Sequence, residues 1–500
     1  MDLRLVPAAL TAWAVTAAGI AWGLGPTVAA ISAAMGAGWA VAARLLGDRH
    51  PVLRAARIGV LGVAVVGCAF GLAAGLRSDA AGRHPVTDRF GATAWVTVIP
   101  GEGPRMVGSG RLMFRGDLAC VGDDEMTGAV TVFASGPDFG RLIPGQPARF
   151  RARISRPLRR DLTVAVLTAA GRPTFGSVPV VQRLAQSLRD GFAAAGAAVL
   201  PADQAAMLPG LVLGDTSAVP AATTTEFRTA GLTHLMAVSG ANVSIVCGAL
   251  LLCAQLVGPR PAVVLAALGL AAFVIVVGPG ASVLRAAIMA SIGLLAVLSS
   301  RRRQAVPALA ATVIALMILT PQLAVDTGFA LSVSATAALV VLAPIWSQRL
   351  VARGWPKPAA DALCIALAAQ WATAPLIAAI SGRLSLVSVV ANLLVAPVIP
   401  PITLLGTAAA TLTPLSPGAA GLLIRFTGPQ LWWLLRTAHL AAAVPGAVIT
   451  VPDGLAGLGI VGGCGVVAIL LWPRRWFRQA GLAAGLVALA WSVSAIVGGP

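Results

Sequence analysis

A chain of 500 residues with 58% hydrophobic and 11% charged residues falls well short of the charge of a soluble domain, about a quarter of its residues, and reads as a polytopic α-helical membrane protein. The 36 basic residues against 18 acidic ones give a formal net charge of +18, and Lys357 is the one lysine. It stands in Gly354-Trp355-Pro356-Lys357-Pro358, so a phosphate loop, which needs Gly-Lys followed by Ser or Thr, is excluded.

The cysteines (Cys68, Cys120, Cys247, Cys253, Cys364 and Cys464) show no C-x-x-C spacing, and five of the six lie in apolar runs. They read as small buried hydrophobes. His50, His84, His234 and His439 are too dispersed for a sequence-local metal site. No metal, cofactor or nucleophile-base pair is expected, and therefore no enzyme.

Along the chain, apolar stretches long enough to cross a hydrocarbon core about 30 Å thick number about 10 to 13. Three come first, near 6–24, 27–46 and 58–76, and define an amino-terminal region, 1–76. Arg4 precedes the first, which reads as a retained anchor because a second span follows at once. Short basic connections mark the cytoplasmic side: Arg44, Arg49, Arg54 and Arg57, then Arg301 to Arg303, then Arg349, Arg353 and Lys357, then Arg474, Arg475 and Arg478. That parity gives a multi-pass protein of the cell membrane with a cytoplasmic amino terminus, and sets residues 77 to about 230 outside.

Residues 77–178 change character. Gly, Pro and Asp clusters punctuate period-two runs such as Thr93-Ala94-Trp95-Val96-Thr97-Val98. Strands at 91–99, 107–115, 127–134, 147–155 and 161–168 suit a small all-β barrel, an inserted extracytoplasmic OB-like domain. In Arg149-Phe150-Arg151-Ala152-Arg153-Ile154 the alternation sets three guanidinium groups on one face. The region holds 14 Arg against 9 Asp and Glu, a surplus of five, the sign wanted for following a phosphate backbone. Nucleic-acid contact and a plain solvated face are both open for Arg149, Arg151 and Arg153. Trp95, Phe114 and Phe133 have the chemistry to stack bases, with barrel core the stronger reading.

Residues 179–230 form a helical linker whose first part, 179–198, is amphipathic: Val180, Val181, Leu184, Leu188 and Phe192 oppose Gln182, Arg183, Arg189 and Asp190. A membrane-interface helix and a helix packed on the barrel both fit.

Residues 231–500 return to apolar spans, and four ordered stretches, the first beginning in the linker, run through the chain from residue 210. Gly210-Leu211-Val212-Leu213-Gly214-Asp215 is followed by Phe227-Arg228-Thr229-Ala230-Gly231-Leu232-Thr233-His234-Leu235-Met236-Ala237-Val238-Ser239-Gly240-Ala241-Asn242-Val243. Gly278-Pro279-Gly280-Ala281-Ser282-Val283-Leu284-Arg285 comes next, then Asp326-Thr327-Gly328-Phe329-Ala330-Leu331-Ser332, then Asn392-Leu393-Leu394-Val395-Ala396-Pro397. Together they resemble the competence domain of ComEC-type DNA uptake proteins. The resemblance implies a channel passing one strand of DNA across the cell membrane during natural transformation, with single-stranded DNA and membrane lipid as partners. It also implies a separate DNA receptor, nuclease and cytoplasmic motor, and leaves a homodimer open. Many relatives carry a carboxyl-terminal metallo-β-lactamase-like domain; this sequence has no His-rich metal motif after its last span, which assigns any nuclease step to another protein. Many also have Leu-His after the Ser-Gly pair, where Ala241-Asn242 stands here.

The residues themselves add chemistry. An ionisable group inside a span costs roughly 2.5–3.5 kcal/mol on insertion scales, so it is paired, turned to water or functional. Arg285 follows a Gly-Pro-Gly break and Ser282; a passage-lining role and an ion pair with Asp326 are the competing readings. His234, Ser239, Gly240 and Asn242 predict a polar seam through one helix, with small-residue packing as the alternative. Asp326 either caps a helix or holds Arg285. Asn392, followed by Pro397, Pro400 and Pro401, predicts an interrupted helix. Arg425, Arg436 and His439 near Trp432-Trp433 read as interfacial anchors. The alternative function is a gradient-driven transporter of a smaller anionic solute.

Overall fold

The computed structural model describes residues 2–45, 51–107, 110–236, 238, 240–254, 258–278, 280–298 and 304–471, with 474 and 479. Ser239, Arg49, Arg301 to Arg303, Arg475, Arg478 and the last predicted span lie outside the described residues. The chain divides into two compact units: Met1–Ser187 with Leu270–Phe329, and Leu188–Gly269 with Ala330–Pro500.

The first unit opens with α1 (Val6–Trp22), α2 (Gly25–Leu45) and α3 (Pro51–Gly82), where three apolar runs were expected. Apolar side chains give no net reason for two helices to associate in lipid, so close backbone approach does the work. A Cβ on Gly25 would stand 2.6 Å from the Gly71 carbonyl and the Gly75 amide, one on Gly36 2.7 Å from Ala64, and one on Gly67 2.5 Å from the Ser32 hydroxyl. Gly25, Ala29, Ser32 and Gly36 thus form one small-residue stripe of α2 against Gly75, Gly71, Gly67 and Ala64 of α3. Across α1, a Cβ on Gly19 would stand 2.6 Å from Ala74, and the Ser78 hydroxyl donates to the Gly19 carbonyl at 3.3 Å.

After α3 a single 3-10 turn, Pro85–Arg89, leads into the barrel. His84 Nδ1 accepts from the Val86 amide at 3.2 Å and its Nε2 meets the Thr127 carbonyl at 3.2 Å; Arg89 donates to the Val121 carbonyl and pairs with Asp124. The strands are β1 (Thr93–Pro100), β2 (Arg105–Val107), β3 (Arg111–Val121), β4 (Asp124–Ser135), β5 (Ala148–Ser155) and β6 (Ala165–Phe175). They run β1-β5-β6-β4-β3-β2, and β3 pairs back onto β1, which closes the barrel. Only β4 and β6 are parallel.

Two strand expectations change. The run placed at 107–115 divides into β2 and β3, because Gly110 turns the chain at φ 80° and Val107 then pairs with Arg111. The run placed at 161–168 starts at Ala165, because Leu162 sits in the left-handed region at φ 67° and delays the extended backbone.

Inside the barrel, Phe114, Phe139, Phe150, Leu118, Ile154 and Leu167 are buried, with Phe139 edge-on to Phe150 at 5.4 Å. Burying a side chain of this size contributes about 1.5–3 kcal/mol, and Phe150→Ala would cost about 3–5 kcal/mol. Phe114 is therefore core, whereas Trp95 is 49% exposed.

Next comes α4 (Val180–Val199), whose Phe192 and Ala185 are buried while Val180, Val181 and Leu184 stay exposed. The second unit holds α5 (Ala202–Leu213), α6 (Ala221–Thr229), α7 (Thr233–Met236), α8 (Gly240–Ala254) and the start of α9 (Pro259–Val277). Then α10 (Ala281–Leu298), α11 (Ala305–Leu319) and a 3-10 turn, Pro321–Val325, complete the first unit at the start of α12 (Thr327–Val351). The second unit continues with α13 (Lys357–Ser381), β7 (Arg383–Ser385), α14 (Ser388–Val395), α15 (Ile399–Leu412), α16 (Pro417–Ala443), β8 (Val448–Thr450) and α17 (Gly454–Leu471), with β7 antiparallel to β8.

Among the described residues, five helices are long and apolar enough to cross a membrane: α2, α3, α9, α12 and α13. The pair α14 and α15, bent by 53°, makes six if counted as one span, and five further apolar helices are 10–17 residues long. The chain is helix-rich, with several apolar helices long enough to cross a membrane and a small closed strand barrel.

Candidate functional site

The predicted site residues fall into three groups, each built within one unit. The first lies on the barrel wall. Along β5 the side chains alternate without exception: Arg149, Arg151 and Arg153 are exposed, while Ala148, Phe150, Ala152 and Ile154 are fully buried. Trp95 stands opposite Arg151 on the neighbouring strand, and the Arg149 guanidinium lies 5.8 Å from the Trp95 ring centroid. Arg111 sits likewise over Phe133, at 5.7 Å. Cations over rings gain a modest attraction, and the result is an outward face presenting both planar rings and positive charge.

The second group lies in the helices of the same unit. Helix α9 ends at Val277, Gly278 takes φ 94°, and α10 starts at Ala281 with Ser282 half-buried in its first turn. Arg285 is 7% exposed, and its Nη1 lies 3.5 Å from the Met289 sulfur one turn on. Asp326 does cap a helix: its Oδ1 accepts from the Phe329 amide at 2.8 Å, satisfying one of the orphan donors at the start of α12. Its other oxygen lies 3.8 Å from Nη1 of Arg115 on β3. The acid expected to hold Arg285 is thus engaged with a barrel arginine.

The third group belongs to the second unit. Of the residues expected to share one helix, His234 lies in α7 and Asn242 in α8, with Val238 between them in neither helix, so the two described side chains belong to different helices. His234 is exposed and Asn242 is buried. The Asn242 amide donates to the Leu211 carbonyl at 2.8 Å. Gly240 opens α8. A cleft of about 10 Å³, lined by Leu211, Leu235, Asn242, Ile399, Ile402 and Thr403, has room for about one water.

A polar knot that sequence reasoning did not find lies beside Asn392. The Asn392 amide donates to the Ser388 carbonyl at 2.8 Å, the Ser388 hydroxyl donates to Gln370 Oε1 at 2.7 Å, and the Ser385 hydroxyl donates to the Thr229 carbonyl at 2.7 Å. Gly231, at φ 72°, packs so closely on Ser388 that any Cβ would overlap the serine side chain. Gln370, an amide in the middle of an apolar helix, was the available signal, since such groups bond across helices.

The interrupted helix is present. It breaks between Val395 and Ile399, and the Trp433 indole donates to the Leu394 carbonyl at 2.8 Å, occupying an acceptor that the break frees. His439 meets Glu226 at 2.9 Å. His439, taken from the sequence as an interfacial anchor, therefore holds a specific partner on α6, and Trp433 of the neighbouring pair holds one on α14.

Comparison with known proteins supplies the remaining evidence. The family model described as competence protein matches residues 211–476. The protein named ComE operon protein 3, from Bacillus subtilis (strain 168), is 28% identical over 201 residues, 40% of this chain. The chain spans about a quarter of the length of that relative. No solved structure matches.

Proposed function

The chain belongs to the competence protein family, of the ComEC type, and from that premise we propose that it is a membrane channel for uptake of single-stranded DNA across the cell membrane in natural transformation. The family match over residues 211–476 carries the reading. In this reading the barrel is an extracytoplasmic OB-type domain. Its support is the strand order β1-β3-β4-β6-β5, closed on β1 with one parallel pairing, the connectivity of a five-stranded Greek-key barrel. Arg149, Arg151 and Arg153, with Trp95 beside them, would meet the phosphates and bases of an incoming strand.

The strand would then pass residues of the matched region. Arg285 and Ser282, following a glycine break, have the chemistry to meet a phosphate; His234, Ser239, Gly240, Asn242, Asp326 and Asn392 are the other passage candidates. The 10 Å³ cleft beside Asn242 is far too narrow for a nucleotide, so conduction through it requires α15 to swing away from α5 and α8. The break between α14 and α15, bent by 53°, supplies a hinge of the kind that broken transporter helices use. The amino terminus would be cytoplasmic, with a separate DNA receptor, nuclease and motor acting on either side.

The test is uptake of labelled DNA by a strain lacking the gene and complemented with variants. Loss of transformation on deletion, restored by the natural chain but not by Arg285→Ala at equal protein level, is the expected result. Normal transformation in the deletion strain removes the proposal.

A further inference from the structure

The connection between β5 and β6 carries a feature apart from the residues proposed above for DNA contact. Leu158 is completely exposed, at 101% of its reference surface, in Arg156-Pro157-Leu158-Arg159-Arg160. Scattered exposed leucines are ordinary on a protein surface, so exposure alone says little. Position and charge distinguish this one. Arg156 is occupied over the Phe90 ring, 5.6 Å from its centroid, while Arg159 and Arg160 are exposed.

Arg160 also fixes where the loop sits. Its Nη1 lies 3.2 Å from the place a Cβ on Gly23 would occupy. Gly23 is the left-handed residue that ends α1, at φ 71°, so the guanidinium lies beside the carboxyl-terminal end of that helix, where positive charge is favoured. Trp22 beside it is 69% exposed, as an aromatic at a membrane boundary would be. The last turns of α1 and α11 lie beside residues 77–78 of α3, just past its apolar run: the Ser78 hydroxyl donates to the Gly19 carbonyl of α1, and Arg77 donates to the Ile318 carbonyl of α11 at 3.3 Å. Leu158 is two residues from Arg160, a reach of at most about 7 Å. An apolar tip flanked by exposed cations is therefore held near the ends of the apolar parts of α1, α3 and α11.

We propose that this loop, residues 156–162, is seated on the lipid surface on the barrel's side of the membrane: Leu158 enters the acyl boundary, and Arg159 and Arg160 bind the phosphates of anionic lipid headgroups. The loop is shaped for this presentation. Asp161 Oδ1 accepts from the Thr163 amide at 3.2 Å, and Leu162 is held in the left-handed region, which fixes the direction of the tip. The consequence is a barrel pinned to the bilayer at one point of its rim, independent of whether DNA is bound.

The test uses the full chain with a photo-crosslinking amino acid at position 158, reconstituted in vesicles of phosphatidylglycerol and phosphatidylcholine, with the same label at exposed Met106 as reference. Mass spectrometry is expected to find phospholipid adducts at 158 well above those at 106. The yield should rise with the phosphatidylglycerol fraction and fall several-fold in Arg159→Gln/Arg160→Gln. Absence of lipid adducts at 158 in either lipid, or their replacement by adducts to an added oligonucleotide, overturns the proposal. Transformation assays read the DNA channel separately, so failure of one reading leaves the other standing.

Discussion

Asn242 closes the end of α5: its side-chain amide donates to the carbonyl of Leu211, 31 residues earlier, at 2.8 Å. Leu211 belongs to the last turn of that helix, where carbonyls lack intrahelical partners. The amides beyond the end are already spent, Gly214 on Gly210 and Asp215 on Pro209, a left-handed glycine termination. The two halves of the first motif are thus tied by one bond, which gives Asn242 a structural task beside any role in a passage. Asn242→Val, which removes the donor and leaves a buried carbonyl unpaired, should lower stability by about 1–3 kcal/mol. Asn242→Asp should do no better, since a carboxylate offers only acceptors. The thermal midpoint of the detergent-solubilised chain checks both, and a midpoint unchanged in Asn242→Val contradicts the argument.

Gly231 and Ser388 make a second prediction through shape. Gly231 needs its left-handed backbone, worth about 1–2 kcal/mol to an L-residue, and has no room for a methyl group against Ser388. Gly231→Ala should therefore destabilise more than the backbone term alone. Adding Ser388→Gly removes the collision but not the backbone strain, so the double variant should recover part of the loss. Strictly additive single and double effects on the midpoint would show that the two residues are uncoupled.

Asp326 divides its two oxygens between a helix start and the barrel, and substitutions can separate the tasks. Asparagine caps a helix about as well as aspartate, so Asp326→Asn keeps the bond to the Phe329 amide and loses only the pairing with Arg115. With Arg115 more than half exposed, that loss should be small, about 0.2–1 kcal/mol. Asp326→Ala removes the cap as well and should cost about 0.5–2 kcal/mol more. Equal destabilisation by the two variants would mean that the cap contributes nothing.

What could be read from the sequence follows from which forces act locally. The spans α1 to α3 depend on the length of an apolar run, and the amphipathic α4 and the alternation along β5 on periodicity, which residues 180–199 and 148–155 carry openly. The break after Asn392 was legible because Pro397, Pro400 and Pro401 cannot continue a helix in register. The partners of polar groups were not legible, because nothing in a span's composition says which distant group it will meet. Ser385 bonds to Thr229 across 156 residues and Trp433 to Leu394 across 39. Arg285 and Asp326, the obvious charge pair by sign, show the limit: the fold brings Arg115 of the barrel to the acid instead.

The β5 arginines allow a test by salt dependence. Three guanidinium groups on alternate residues of one exposed strand would neutralise up to three phosphates of a strand lying along it, each releasing counterions. The logarithm of affinity for single-stranded DNA should fall with the logarithm of salt by about 0.7 per phosphate contact. Arg149→Gln/Arg151→Gln/Arg153→Gln in the full chain should weaken oligonucleotide binding at low salt and flatten that slope by about 2. Trp95→Ala should act differently: it removes a stacking surface, so affinity should drop by about 1–3 kcal/mol per base lost while the slope stays unchanged. Fluorescence anisotropy titrations at several salt concentrations separate the two. A triple variant whose slope equals that of the natural chain would mean that β5 faces solvent and that DNA meets the protein elsewhere.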